Sequence, residues 1–278
     1  MILGIVAFAV YPFVYLLFLS FSESNLGRVF QDWVGFSNYG EAVGDAKFTA
    51  TIARSVGFSF LTTGMAMVLG VALALLLDQA VRGRDLIRTL ILLPLLTPPV
   101  TVAVMWQLIL MPQGGWLNGF LADLGIISEP VSFLGQPASA FFFLAVADVW
   151  QWSPFVALMA FAALQTLPEE VFDAAVLDCQ THFQIFRFIT LPMLLPALIG
   201  IAVLKLVIAF KVFDLVFVLT AGGPGQATTV SSFYIYRVAI QQFDIGMAAT
   251  QTILFAIVVG LATVPFTMAH DRAEAKLS

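Results

Sequence analysis

The run Asp148-Val149-Trp150-Gln151-Trp152-Ser153-Pro154-Phe155 sets a carboxylate, an amide and several aromatic rings within about two helical turns of an apolar stretch. Carboxylates and amides hydrogen-bond hydroxyl groups, and ring faces cover the apolar C–H surface of a sugar. That mixture suits carbohydrate recognition. Packing or an interfacial aromatic belt accounts for Trp150, Trp152 and Phe155 equally well. Lys211 and Asp214 stand in another apolar run. Ionisable groups at membrane depth face a bundle interior or a water-filled cavity, and these two, three residues apart on a helix, are positioned either to pair or to meet a ligand directly. Lys205 is expected to snorkel toward water and carries no assigned role. A third set, Glu169, Glu170, Asp173 and Asp178, lies in the polar interruption 164–191.

Other chemistry finds no support. The turn Ala221-Gly222-Gly223-Pro224-Gly225 lacks the lysine and the serine or threonine of a phosphate loop, and no G-x-x-x-x-G-K-[ST] occurs, so the chain is not expected to hydrolyse ATP. It is more suited to meeting a protein partner outside the membrane. No catalytic nucleophile–base set stands out. His182 and His270 have no metal-ligand spacing, and Cys179 is the single cysteine, so neither a metal site nor an internal disulfide is expected. The twelve basic residues form no patch for nucleic acid.

The elements that must position these groups are membrane helices. The chain has 278 residues, 60% hydrophobic and only 10% charged, too few charges to cover a soluble surface. Six apolar segments, about 1–20, 54–77, 88–111, 139–163, 192–220 and 245–269, are each of spanning length. Backbone groups in lipid must be satisfied within their own segment, which predicts an all-α integral membrane protein. The first segment has no basic flank and no convincing cleavage site, so a retained helix is expected, with a start trimmed of its cytoplasmic tail. Arg82, Arg84 and Arg88 cluster in a short loop. The positive-inside rule then sets both termini, 79–87 and 164–191 in the cytoplasm, and 21–53, 112–138 and 221–244 outside. Ala66, Gly70 and Ala74 give the second helix a small-residue face suited to close packing. One domain, 1–278, is expected.

Within 164–191, Pro168 suits a first helical turn, and Glu169 and Glu170 follow where the helix dipole favours negative charge. Val171, Ala174, Ala175 and Asp178 share a face. The helix is expected to end soon after Asp178, with a second short helix from Phe183 to Ile189 and a sharp bend between them. A solvated loop helix is the plain reading of composition alone.

The wording of this loop resembles the cytoplasmic signature of permease subunits in bacterial ATP-binding-cassette importers, commonly written EAA–x3–G–x9–I–x–LP. Asp173-Ala174-Ala175 stands at the triplet, Cys179 at the glycine, and Ile189-Thr190-Leu191-Pro192 at the close. Aspartate replaces the family's glutamate, Cys179 its glycine and Gln180 its usual alanine. Phe210 to Asp214 and Leu219 to Pro224 resemble the carbohydrate branch of the maltose-transporter type. Tyr11-Pro12, Ser20-Phe21 and Leu93-Pro94 fit it too, so the resemblance covers nearly the whole chain.

The resemblance implies a six-helix permease of a binding-protein-dependent inner-membrane transport system, with a coupling loop 164–191 that sits in a cleft of a separate ATPase. Coupling residues would be Glu169, Glu170, Asp173, Ala174, Ala175, Asp178, Cys179, Phe186 and Pro192. Asp148, Gln151, Trp152 and Phe155, with Ile208, Ala209 and Val212, match positions that line the sugar pathway. Implied partners are a second homologous permease, two cytoplasmic ATPase subunits carrying ATP and Mg, an external solute-binding protein and membrane lipid. No cofactor is implied on this chain itself. The competing expectation is a secondary transporter using Asp148 or Asp214 as a proton or ion site.

Overall fold

The computed structural model describes residues 8, 10–78, 84–178 and 181–275. Helices dominate: α1 (Tyr11–Ser20), α2 (Ser37–Gly44), α3 (Ala46–Asp78), α4 (Arg84–Leu96), α5 (Pro99–Leu110), α6 (Trp116–Asp123), α7 (Pro137–Leu164), α8 (Glu169–Asp178), α9 (His182–Ile185), α10 (Leu191–Phe210), α11 (Ser231–Tyr236) and α12 (Ile245–Glu274). Among the described residues four helices are long and apolar enough to cross a membrane, and the bent pair α4–α5, counted as one span, makes five. α1 is apolar over its ten described residues. Most of the remainder of the expected segment 1–20 lies outside the described residues.

Two expected spans are broken. The segment 88–111 turns through 100° between Leu96 and Pro99. Pro99 pushes the residue before it out of helical geometry, and Pro98 accordingly sits at φ −55°, ψ 139°. Pro99 then opens α5, where its missing N–H costs nothing. The segment 192–220 is interrupted as well: α10 closes at Phe210, Lys211 to Phe213 leave the helix, and a wide π turn runs from Val216 to Thr220. Ala221 and Gly222 end it at φ 48° and φ 80°.

Outside the helices, β1 (Ser22–Asn25) and β2 (Arg28–Trp33) form an antiparallel hairpin, a strand pair absent from the all-α expectation. Asn25 closes its turn, with Oδ1 accepting from Gly27 N at 3.0 Å and Arg28 N at 2.8 Å. The hairpin sits on the start of α12. Thr250 Oγ1 donates to Ser20 O at 2.9 Å, and a Cβ on Gly246 would collide with the Ser22 carbonyl.

α3 and α7 form the most extensive helix pair. Ala66 and Ala74 of α3 are fully buried against Val156 and Ala160 of α7 with Leu194 and Leu198 of α10, the small-residue face put to packing use. Nearer the opposite end, Phe58, Val102, Leu144, Val216 and Phe233 form a second core that encloses the breaks. These two cores fix α3, α7 and α10 around the polar groups described next.

Candidate functional site: a polar cavity between two broken spans

A cavity of about 200 Å³ is lined by Pro99, Asp148, Gln151, Trp152, Ile208, Lys211, Val212, Phe213, Asp214 and Leu215. It lies where both helix breaks meet the middle of α7. An unwound backbone at membrane depth is tolerated where it lines a cavity or is buried in protein, which fits both breaks. Asp148, Gln151 and Trp152 come from successive turns of one helix face. Five of the seven expected pathway residues thus share one wall: Asp148, Gln151, Trp152, Ile208 and Val212. Phe155 and Ala209 do not line it. Phe155 packs in the neighbouring apolar core, edge-on to Trp152 with ring centroids 6.3 Å apart, and Ala209 is fully buried.

The charges are arranged differently from expectation. Lys205 does not snorkel. It is 0% exposed, and its Nζ donates to Asp148 Oδ2 at 2.7 Å, with Asp148 itself 2% exposed. Lys211 and Asp214 both line the cavity, yet no ion pair joins them among the described residues. The helix ends at Phe210, so their three-residue spacing no longer places them on one face. Gln151 fastens the cavity to the first break, with Nε2 donating to the Thr97 carbonyl at 3.2 Å. That carbonyl is free because Pro98 and Pro99 interrupt the helical ladder.

Sequence reasoning missed Lys205, Pro99 and the Gln151–Thr97 bond. The adjacent prolines Pro98-Pro99 were a usable signal for the break. Nothing in one sequence matches the depth of Lys205 to Asp148, 57 residues away.

The segment 164–191 forms a second feature. α8 runs from Glu169 to Asp178, as its N-terminal acids and Pro168 predict. Glu170 and Asp173 are exposed, while Ala175 turns inward, 3% exposed. Glu169, Ala174 and Asp178 are placed as helical backbone, and Cys179, with the expected bend, lies outside the described residues. Thr181 then starts α9 with a reciprocal cap, its Oγ1 accepting from Gln184 N and Gln184 Oε1 accepting from Thr181 N. The separate short helix expected at Phe183–Ile189 is instead continuous with α10 through a π turn, Phe186–Thr190. Pro192 lacks an N–H, and the ladder widens ahead of it so that Leu191 N reaches Phe186 O. Phe186 is half-buried and Pro192 exposed. Beside α8 a cavity of about 320 Å³ is lined by Asp78, Leu164, Gln165, Leu167, Phe172 and Asp173. Gln165 Nε2 donates to Asp78 Oδ1 there at 2.7 Å, tying the end of α3 to the corner before α8.

The turn 221–230 is built into the scaffold. Arg54 Nε donates to Thr229 O at 2.9 Å, and Ser231 N donates to Ser55 Oγ at 2.8 Å. Thr229 Oγ1 donates to Gly222 O at 3.0 Å.

Broken spans around a polar cavity, with an acidic helix projecting at one end, define a polytopic helical membrane protein built to pass a solute. The chain belongs to the family of binding-protein-dependent transport system inner membrane components, whose sequence profile matches residues 66–278. It is 35% identical over 243 residues to the trehalose/maltose transport system permease protein MalF of Thermococcus litoralis, covering 87% of this chain and 81% of that relative. It is 31% identical over 271 residues to the sn-glycerol-3-phosphate transport system permease protein UgpA of Pectobacterium atrosepticum, covering 97% and 91%. Its fold matches a chain of a bacterial ABC transporter involved in the import of the acidic polysaccharide alginate, with a TM-score of 0.85 at 24% identity over 98% of this chain and 92% of that one. The MetNI methionine ABC transporter gives a TM-score of 0.60 at 16% identity, covering 81% and 95%.

Proposed function

We propose that this chain is the non-catalytic permease subunit of an ATP-driven importer that moves a sugar, polyol or related carbohydrate through the bacterial inner membrane. One observation carries the reading. The cavity at the two helix breaks brings the Asp148 carboxylate, the Gln151 amide and the Trp152 ring together on one wall, the donor, acceptor and aromatic set that hydroxyl-rich solutes need. The trehalose/maltose relative supports the same class of solute.

The working complex comprises this chain, a second homologous permease, two cytoplasmic ATPase subunits holding ATP and Mg, and an external solute-binding protein. Residues 1–278 act as one domain with both termini in the cytoplasm. That orientation puts 164–191 where an ATPase grips it. α8 then acts as a lever: Asp173, exposed, meets a basic or amide group of the ATPase, and Ala175, buried, seats α8 against its own chain. Closure of the ATPases draws the coupling loops together and opens the helices outward; hydrolysis returns them inward. Phe186 and Pro192 shape the lever's root.

Two measurements test this. Asp173→Lys is expected to abolish co-purification of the ATPase, and unchanged assembly with unchanged transport would defeat the lever. Trp152→Ala and Asp148→Ala are expected to lower uptake of radiolabelled maltose and trehalose in vesicles of the full complex, and wild-type uptake in both variants would remove the cavity from the pathway. A secondary transporter coupled through Asp148 is disfavoured, since that carboxylate is committed to Lys205. Uptake by the purified chain alone would reinstate it.

A further inference from the structure

The relatives of this chain span solutes of different charge, and the cavity bears on that choice. Its wall carries two carboxylates, Asp148 and Asp214, and one ammonium, Lys211. The fourth charge, Lys205, is fully buried behind the wall and held by Asp148 Oδ2. Asp148 Oδ1 has no hydrogen-bond partner among the described residues, and Asp148 lines the cavity. One carboxylate oxygen is therefore committed and the other is left as an acceptor. Burying an ammonium costs several kcal/mol unless it is paired with good geometry, and the pair here keeps Asp148 from becoming an isolated buried charge.

We infer that the Asp148–Lys205 pair, with the opposed charges of Lys211 and Asp214, makes this cavity select an uncharged polyhydroxylated solute and reject an anion. This rests on the carbohydrate reading above and narrows it. A solute entering meets two carboxylates and one ammonium, with Lys205 balancing the sum from behind the wall, so no net charge repays the desolvation of an ionic ligand. An anion fares worse than the sum implies. The ammonium that would compensate it most strongly, Lys205, is already bonded and lies behind a carboxylate, and the remaining one, Lys211, shares the wall with Asp214. Hydroxyl groups lose nothing on this wall, because Asp148 and Asp214 accept their hydrogen bonds as carboxylates, the stronger form of acceptor. Lys205 is on this account a specificity-determining residue that acts through Asp148 without reaching the solute.

The test is a titration of the purified full complex by intrinsic fluorescence, with Trp152→Phe identifying the cavity signal. Four probes are used: maltose and trehalose as neutral ligands, sn-glycerol-3-phosphate and a glucuronic-acid disaccharide as anions. The neutral sugars are expected to quench saturably and the anions to bind at least about tenfold more weakly, equivalent to about 1.4 kcal/mol. Asp214→Asn removes one wall carboxylate and leaves the buried pair intact. It is expected to shift the preference about tenfold toward the anions. Lys211→Met should shift it the other way. Preferential binding of either anion to the wild type, an unchanged preference in Asp214→Asn, or no response to either neutral sugar overturns the inference. Stimulation of ATP hydrolysis by the external binding protein is measured on the same samples; its loss in the wild type counts against the importer reading and is independent of probe charge.

Discussion

Gly70 of α3 lies so close to α7 that a Cβ built on it would stand 2.5 Å from Val156 Cβ and 2.9 Å from the Ser153 carbonyl. Small residues at such crossings let backbones approach and gain van der Waals contact, the main source of helix association in lipid. Gly70→Ala is expected to force α3 and α7 apart at an overpacking cost of about 1–3 kcal/mol. A lowered thermal midpoint of the purified protein checks it, with Gly64→Ala as control, since nothing lies within 4 Å of a Cβ at Gly64. Equal midpoints for the two variants would remove Gly70 from the crossing.

The buried pair makes an asymmetric prediction. Lys205→Met leaves Asp148 buried without its partner, at a cost of about 3–5 kcal/mol, whereas replacing both partners by uncharged residues is often near neutral. Thermal stability is therefore expected to fall sharply in Lys205→Met and to recover in Lys205→Met/Asp148→Asn. A double variant as unstable as the single one would contradict the pairing.

Single hydroxyls, besides the Arg54 guanidinium, hold the turn 221–230 and the start of α11 in place. Ser55→Ala removes the acceptor of Ser231 N, inside a region where Ser55, Thr229 and Ser231 are all buried. An orphaned buried N–H costs about 1–3 kcal/mol, which a thermal melt resolves. Ser232→Ala, by comparison, removes a donor to the Val212 carbonyl at the cavity edge, so it is expected to disturb uptake as well.

Tyr234, in the short helix α11 between two spanning helices, supplies a pH dependence. Burial, and then the hydrogen bond it donates to Asp45 Oδ2 at 2.7 Å, push its hydroxyl from the ordinary value of 10.0 up to about 12. A raised folded-state value means the stabilisation is complete below the unfolded value near 10 and is lost as pH climbs toward 12. Tyr234→Phe should lack that alkaline component in a series of thermal midpoints, and an identical alkaline slope in both proteins would assign it elsewhere.

Much of this protein is legible in the order of its residues. Apolar length alone locates α3, α7 and α12, because a spanning helix must satisfy its own backbone over a fixed thickness. The acids and proline at 168–170 locate α8, since they act on their own helix end. The hairpin at 22–33 is not legible: its strands are four and six residues long with no clean alternation of apolar and polar residues, and it sits on α12 where Gly246 approaches the Ser22 carbonyl.

The same division runs through the cavity. Asp148, Gln151 and Trp152 are readable together because one helix presents them at its own period. Spacing alone sends Lys205 toward water and pairs Lys211 with Asp214, because Phe210 to Phe213 contain no glycine or proline to mark the helix end there. Local chemistry, which depends on neighbours along the chain, is settled by the order of residues. The partner of each charge is decided only when antiparallel helices and two breaks bring distant positions to one depth, where a bond of 2.7 Å can form.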